Sequence, residues 1–473
     1  MTTTATSRRA ASAQAGTRPT RRLSASTPAR TDAVGVVAGL TLLIVTALWV
    51  AGGGLQQILA GGAGAWSSLG RITGLLSADL LLLQVLLMAR IPAAERAFGQ
   101  DRLARWHRWT GFTSFHLMLA HIVLITIGYA GAARTGLLAE LWDMIVTFPG
   151  MLLATAGTVA LIMVVVTSMR AARRRLRYES WHLLHLYAYL GVGLALPHQL
   201  WTGTDFAASG VATAYWWTLW ALAAAAVLAY RIGVPAWRTL RHGLVVSHVV
   251  TEAPGLTSVY LTGRHLDQMP VRAGQFFQWR FLDGPGWSRS HPYSLSATPH
   301  GDFLRITVKD LGDGSRRVAA LRPGTRVLVE GPYGKLTGET YQGGPVVLLG
   351  CGIGITPLLS LLGDLAYRPG DATVVYRARS EQDVAFRREL DWFAEHRGVR
   401  VAYLYGPRAE QPSWLPAGLG RFGDAEALRR IAPYVSGAQV YVCGPDEWTE
   451  AARAAALAAG VERERVHTEL FAW

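Results

Sequence analysis

The stretch His107-Arg108-Trp109-Thr110-Gly111-Phe112-Thr113-Ser114-Phe115-His116-Leu117-Met118-Leu119-Ala120-His121 decides how this chain is read, because it sets three histidines into a helix-length apolar segment. An ionisable side chain is costly at bilayer depth, so a histidine there carries a function by default. His107 and His121 are 14 positions apart, about 21 Å along a helix axis and about 40° apart in phase. A second such stretch holds His182, His185 and His198. Two helices running in the same direction, each with an early and a late histidine at matched depths, can clamp two stacked b-type haems by paired imidazole ligation. The metal ligands are then His107 with His185 and His121 with His198, His182 remaining an alternative to His185. The 13-residue interval from His185 to His198 turns an ideal helix about 140° out of phase, so this helix is expected to kink or unwind at Pro197. His116 fits neither pair and reads as a packing, haem-propionate or interfacial residue.

Outward from these stretches, apolar blocks recur at about 34–52, 69–91, 108–130, 149–169, 181–199 and 213–232, each close to the ~20 residues that cross a bilayer. Arg90, Arg96, Arg102 and Arg105 follow the second block, and Arg170, Arg173, Arg174, Arg175 and Arg177 follow the fourth. The segments 131–148 and 199–212 are poor in such residues. The positive-inside rule then describes a multi-pass cell-membrane protein, in contact with membrane lipid, with both termini cytoplasmic. The formal charge of +14 is thereby topological, and nucleic acid is not an expected partner. Trp106, Trp109 and Trp181 read as membrane-belt anchors. Asp79, the single intramembrane carboxylate, reads as a haem-edge or interhelical partner, and the absence of others argues against a transporter.

Only two cysteines are present, Cys351 and Cys443, which excludes a disulfide framework and a four-cysteine cluster. The first thirty residues hold six arginines and no acid, the composition of a disordered tail, taken as 1–32. Arg21-Arg22 before an apolar run has the form of a twin-arginine export signal, but no small-residue cleavage site follows Val50.

From Leu244 the text changes to short alternating segments such as Ser258-Val259-Tyr260-Leu261 and Leu304-Arg305-Ile306-Thr307-Val308, the pattern of an antiparallel β-barrel over 241–341. Within it Lys309-Asp310-Leu311-Gly312-Asp313-Gly314-Ser315 follows a strand and precedes a helix, so Lys309, Gly312, Gly314 and Ser315 can offer a diphosphate backbone N–H groups. Over 342–473 apolar strands alternate with helical stretches, an α/β doubly wound nucleotide-binding pattern. Gly350-Cys351-Gly352-Ile353-Gly354-Ile355-Thr356-Pro357 joins the first strand to a helix, the context a phosphate turn requires, with Gly350, Gly352, Gly354 and Thr356 its working residues. Arg377 and Arg379 end the second strand, where an arginine can pair with a 2′-phosphate, which favours NADPH over NADH.

The paired histidines on the third and fifth blocks resemble those of the ferric reductase and NADPH oxidase superfamily, and the likeness extends over about 34–473. It implies an all-α six-helix transmembrane bundle (33–235), an antiparallel β-barrel FAD domain and an α/β doubly wound nicotinamide-nucleotide domain. His291-Pro292-Tyr293-Ser294 is similar to the flavin signature of the ferredoxin-reductase fold, with Tyr293 over the isoalloxazine and Ser294 reaching N5; many soluble relatives have Arg where His291 stands. Gly331-Pro332-Tyr333-Gly334 resembles the family's turn closing the barrel. By the same resemblance Cys443, with Gly444 and Pro445, lies near the nicotinamide C4. Phe471 is the aromatic ring over the flavin, or else Trp473 two residues on. The implied activity carries electrons from NAD(P)H through FAD and two haems to an outer acceptor: oxygen, a ferric chelate, a quinone or a redox partner protein. The competing expectation is a non-haem, membrane-anchored flavin reductase that serves a cytoplasmic partner.

Overall fold

The computed structural model describes residues 28–470 except 174, 177, 207, 208, 285, 410 and 411. Most of the basic tail, together with Phe471 and Trp473, therefore lies outside the described residues. The chain forms two compact units that divide between Gly233 and Val234.

The first unit is helical. Its long helices are α1 (Pro28–Ala51), α2 (Gly62–Met88), α3 (Gln100–Ala133), α4 (Met151–Ser168), α5 (Tyr178–Trp201) and α6 (Gly210–Val227), which continues as a π-helical segment, Leu228–Gly233. The runs containing α2, α3, α4 and α6 are long and apolar enough to cross a membrane, and α1 with the short helix Gly54–Ala60, bent by 58°, adds a fifth candidate. Large apolar side chains point away from the protein along these helices, including Leu43, Val123, Leu152 and Leu222. Such a surface suits lipid and not water.

Two helix pairs are packed most intimately. On α2 and α3 the contact is made by small residues, since a Cβ on Gly70 would lie 2.7 Å from the Ile125 side chain, and Ser77 and Ser114 exchange hydrogen bonds of 2.8 Å to each other's carbonyls. On α4 and α5 a Cβ on Gly157 would meet the Gly191 carbonyl at 2.7 Å. Close approach at small residues is how helices associate where apolar burial gives no drive. Between α3 and α5, by contrast, there is no extended backbone packing among the described residues. Asp79 is fully buried and accepts a 2.7 Å bond from Tyr215, joining α2 to α6 as an interhelical partner. The helix α5 is continuous through Pro197, so of the expected kink or unwinding the unwinding does not occur. Proline removes only its own donor, and the next turn re-forms with Thr202 N–H on the His198 carbonyl at 3.0 Å.

The second unit opens with α7 (Val234–His242) and continues into two three-stranded antiparallel sheets. One has the order β1 (Val245–Ala253), β2 (Leu256–Thr262), β5 (Leu304–Lys309), and the other β4 (His291–Ser294), β3 (Phe276–Phe281), β6 (Val327–Tyr333). Bridges at Val245–Arg326 and Leu295–Ile306 link the sheets edge to edge, around a core that includes Val259, Leu261, Phe277, Trp279 and Ile306. Next comes a parallel five-stranded sheet of order β11-β10-β7-β8-β9, formed by β7 (Val346–Cys351), β8 (Ala372–Ala378), β9 (Arg400–Tyr405), β10 (Gln439–Gly444) and β11 (Val466–Leu470). Helices α8 (Ile355–Asp364) and α9 (Arg387–Arg397) cover one face, and α10 (Asp424–Ile431) and α11 (Asp446–Ala458) the other. The strand order reverses between β7 and β10, the crevice where such sheets bind ligands.

Candidate functional site

The four membrane histidines meet in two pairs. The rings of His107 and His185 have centroids 5.9 Å apart, and those of His121 and His198 are 6.2 Å apart. The ring facing His107 is that of His185; His182 lies 6.5 Å from Trp181 instead. The phase difference along α5 is thus absorbed within a continuous helix. His116 is exposed and bonds its own helix at the Phe112 carbonyl, 2.7 Å away.

Every paired ring is oriented through Nδ1. His121 donates to the Gly70 carbonyl at 2.8 Å and His107 to the Gln84 carbonyl at 3.2 Å, because a carbonyl can only accept. Thr202 hydroxyl donates to the His198 carbonyl at 2.8 Å, so its oxygen accepts from His198 Nδ1 at 2.7 Å. Ser168 Oγ lies 3.2 Å from His185 Nδ1 and accepts Trp181 Nε1 at 3.3 Å. Trp181 thereby sits 5.1 Å from the His185 ring, where it supports that residue, whereas Trp109 is 74% exposed and suits a membrane belt. An Nδ1 held in this way presents Nε2 to a metal. Two metal–nitrogen bonds of about 2 Å, added to the distance from each Nε2 to its ring centre, come to about 6 Å. The spacing of both pairs, and the tautomers of His107, His121 and His198, therefore fit an iron held between each pair. Among the described residues no group of three or more His, Cys, Asp or Glu gathers, so a site needing three protein ligands is not offered.

In the second unit, His291 and Tyr293 stand on β4 with their rings stacked at 5.9 Å and 18°. Burial pushes the Tyr293 phenol up, so it stays neutral. Its carbonyl accepts Trp279 Nε1 at 2.9 Å, which fixes the strand, and Ser294 is buried at its end beside Pro292's half-buried ring. A cleft lined by Asp283, Gly286, Arg289, His291, Gly314 and Arg317 opens next to it. A Cβ on Gly314 would lie 2.9 Å from the His291 ring, so glycine keeps that space clear. Lys309 is exposed at the end of β5. Ser315 Oγ is engaged locally, accepting Leu311 N–H at 2.7 Å and donating to the Gly312 carbonyl at 2.9 Å. Arg289 and Arg317 are additional basic residues at this cleft; the sequence signals were Arg289 two positions before His291 and the Arg316-Arg317 pair after the glycine turn.

At the crevice of the parallel sheet, Gly350, Gly352 and Gly354 turn the chain from β7 into α8. A Cβ on Gly354 would stand 2.2 Å from the Cys443 carbonyl, and Gly352 adopts φ +56°. Thr356 Oγ1 donates to the Ile353 carbonyl at 2.8 Å and closes the turn. Cys443 is fully buried on β10, opposite Gly350 and Glu469, and burial holds its thiol well above the usual range. Gly444 passes against Trp448 and Cys351, and Pro445 caps α11. Glu469 comes up to Gly334, where a Cβ would be 2.7 Å from Oε1; this meeting of the last strand with the Gly331–Gly334 turn was not read from sequence. Arg377 is buried and donates to the Pro407 carbonyl at 2.8 Å, while Arg379 is exposed beyond the strand end.

Residues 73–196 match the family described as ferric reductase like transmembrane component, and residues 348–454 match the oxidoreductase NAD-binding domain. The chain is 29% identical over 235 residues to the ferredoxin reductase component of 3-ketosteroid-9-alpha-monooxygenase from Rhodococcus rhodochrous, covering 48% of this chain and 64% of that protein. It therefore spans just under two thirds of that relative's length. It is 32% identical over 202 residues to ferredoxin–NADP reductase B of Sorangium cellulosum, covering 40% of this chain and 80% of the relative. A solved structure, the flavohem-like FAD/NAD binding domain of nitric oxide dioxygenase from Vibrio cholerae, matches at 23% identity and a TM-score of 0.40, covering 49% of this chain and 98% of that one. The chain thus joins a ferric-reductase-like transmembrane component to a reductase NAD-binding domain, the fusion architecture of the ferric reductase and NADPH oxidase superfamily.

Proposed function

We propose that the protein takes hydride from NADPH, or NADH, onto FAD and passes single electrons through two b-type haems to an acceptor at the outer membrane face, oxygen or a ferric chelate. The observation that carries this reading is the pairing of four membrane histidines at about 6 Å with each Nδ1 held by a protein oxygen. On it, α5 is a sixth span: its 24 residues reach about 36 Å, and Leu183, Leu186 and Leu190 face outward. The His107/His185 pair lies toward the cytoplasm, where both termini stand, and the His121/His198 pair toward the outside.

When bound, FAD and the haems supply the conversion from two-electron to one-electron chemistry. The protein's residues hold, orient and insulate. Tyr293 covers one flavin face and Ser294 serves N5, while Arg289, His291 and Arg317 with the 309–315 turn receive the diphosphate in the sheet domain, 241–341. In the nucleotide domain, 342–473, Gly350–Thr356 seats the NADPH phosphates, Arg379 is placed for the 2′-phosphate with Arg377 behind it, and buried neutral Cys443 with Gly444 and Pro445 borders the nicotinamide.

The test is the dithionite-reduced minus oxidised spectrum of purified protein with pyridine haemochrome and FAD quantification. Two b-type haems per chain, falling toward one in His121→Ala and in His198→Ala, support the wire. FAD without haem overturns it and leaves a membrane-tethered flavin reductase with a cytoplasmic partner.

A further inference from the structure

The segment that carries the flavin signature also carries the seam between the two lobes of the second unit. Two residues past Ser294, Ser296 is buried and its carbonyl accepts Arg305 Nη2 at 2.5 Å, while its hydroxyl accepts Arg305 Nε at 3.1 Å. Arg305, on β5 and 4% exposed, reaches on to Glu389 in the first turn of α9, pairing through Nη1–Oε1 at 2.5 Å and Nη2–Oε2 at 2.9 Å. Its guanidinium also lies over the Phe386 ring at 4.7 Å. The next residues make a second tie. Ser360 on α8, the helix that starts at the Gly350–Gly354 turn, donates to the Ala297 carbonyl at 2.8 Å, and its own carbonyl accepts Thr298 Oγ1 at 2.7 Å.

One short segment, Ser294–Thr298, thus starts at the residue proposed to serve the flavin and is tied to α8 directly and to α9 through Arg305. A planar bidentate pair fixes orientation as well as distance, and a fully desolvated arginine leaves little freedom to its partner. The side-chain partners of Arg305 are Ser296, Tyr260, Glu389 and the Phe386 ring, none of which belongs to the phosphate turns.

We infer that Arg305 and Glu389 are positioning residues for hydride transfer: their ion pair, seated on Ser296, sets the separation of the flavin lobe from the nucleotide lobe. The inference rests on the hydride reading above. Hydride transfer is steep in donor–acceptor distance, so a small relaxation of the seam slows the chemical step more than it weakens nucleotide binding.

The experiment uses the full-length protein with FAD bound and the variants Glu389→Gln, Glu389→Asp and Arg305→Lys. Stopped-flow bleaching of the flavin by NADPH under anaerobic conditions gives the rate constant at saturation and the apparent nucleotide affinity. Amide hydrogen exchange of peptides covering 272–276, 294–299 and 357–362 is read without nucleotide. Glu389→Gln is expected to slow bleaching by between about ten- and a hundredfold at unchanged FAD content and nearly unchanged affinity, to quicken exchange in all three peptides, and to be partly rescued by Asp. An unchanged rate constant, a loss confined to affinity or FAD content, or unchanged exchange overturns the inference. If dithionite but not NADPH bleaches the wild-type flavin, the hydride reading falls instead; exchange alone then decides whether the pair couples the lobes.

Discussion

Thr202 and His198 are linked twice within one turn of α5: the hydroxyl donates to the His198 carbonyl at 2.8 Å and accepts from its Nδ1 at 2.7 Å, leaving Nε2 as the free ring nitrogen in a ring 6.2 Å from that of His121. The same residue that closes the turn after Pro197 therefore sets the tautomer of a proposed haem ligand.

Replacing Thr202 by Val keeps the shape and removes the acceptor. An imidazole with a hydrogen-bonded Nδ1–H is a stronger donor to ferric iron, so the variant should retain two haems while the midpoint potential of one of them rises. Spectroelectrochemical titration reads this directly; a fall, or no change in either haem, contradicts the proposed role.

Gly74 faces His121 so closely that a Cβ there would stand 2.5 Å from Nδ1, whereas Gly193 on α5 has nothing within 4 Å. Gly74→Leu should displace His121 and halve the haem content with FAD retained. Gly193→Ala should keep both haems. Equal haem content in the two purified variants would falsify the assignment of His121.

Gly354→Ala places a methyl group 2.2 Å from the Cys443 carbonyl. Relieving such a clash costs about 1–3 kcal/mol, and it separates the two strand ends that form the crevice. Differential scanning calorimetry should show a lowered Tm for the soluble transition, and the KM for NADPH should rise by more than kcat falls. The reverse split would move Gly354 away from the nucleotide.

His467 is half-buried on β11 with Nε2 2.8 Å from Gln439 Oε1, and desolvation of the ring lowers its pKa to about 4. The unfolded chain thus binds this proton more readily than the folded one. The associated stability is fully present above about pH 6.5 and is lost as pH falls toward 4, by about 3 kcal/mol in total. Urea midpoints measured from pH 7 to pH 4.5 should decline, and the decline should be shallower in His467→Gln.

Much of this architecture is written in local pattern. Block length placed the apolar helices, alternation placed the strands of the two antiparallel sheets, and glycines between a strand and a helix placed the turn at 350–354, since each signal needs only a few consecutive residues. The histidine spacing also named the residues that meet, because depth along a helix is a linear count. Rotation and contact are not. That Gly70, Gln84 and Ser168 hold three of the four rings depends on how helices pack against each other, and no periodicity in one helix reports the face of its neighbour; Thr202, four positions after His198, is the local exception. The same reason explains why Arg377 turns inward to the Pro407 carbonyl, why Arg289 and Arg317 join one cleft, and why Arg305 finds Glu389 across 84 positions. The sequence by itself thus determined which segments form apolar helices, which form strands and which histidines meet; the tertiary structure alone decided which oxygens on neighbouring helices orient those rings, because these partners are brought together by packing and not by chain order.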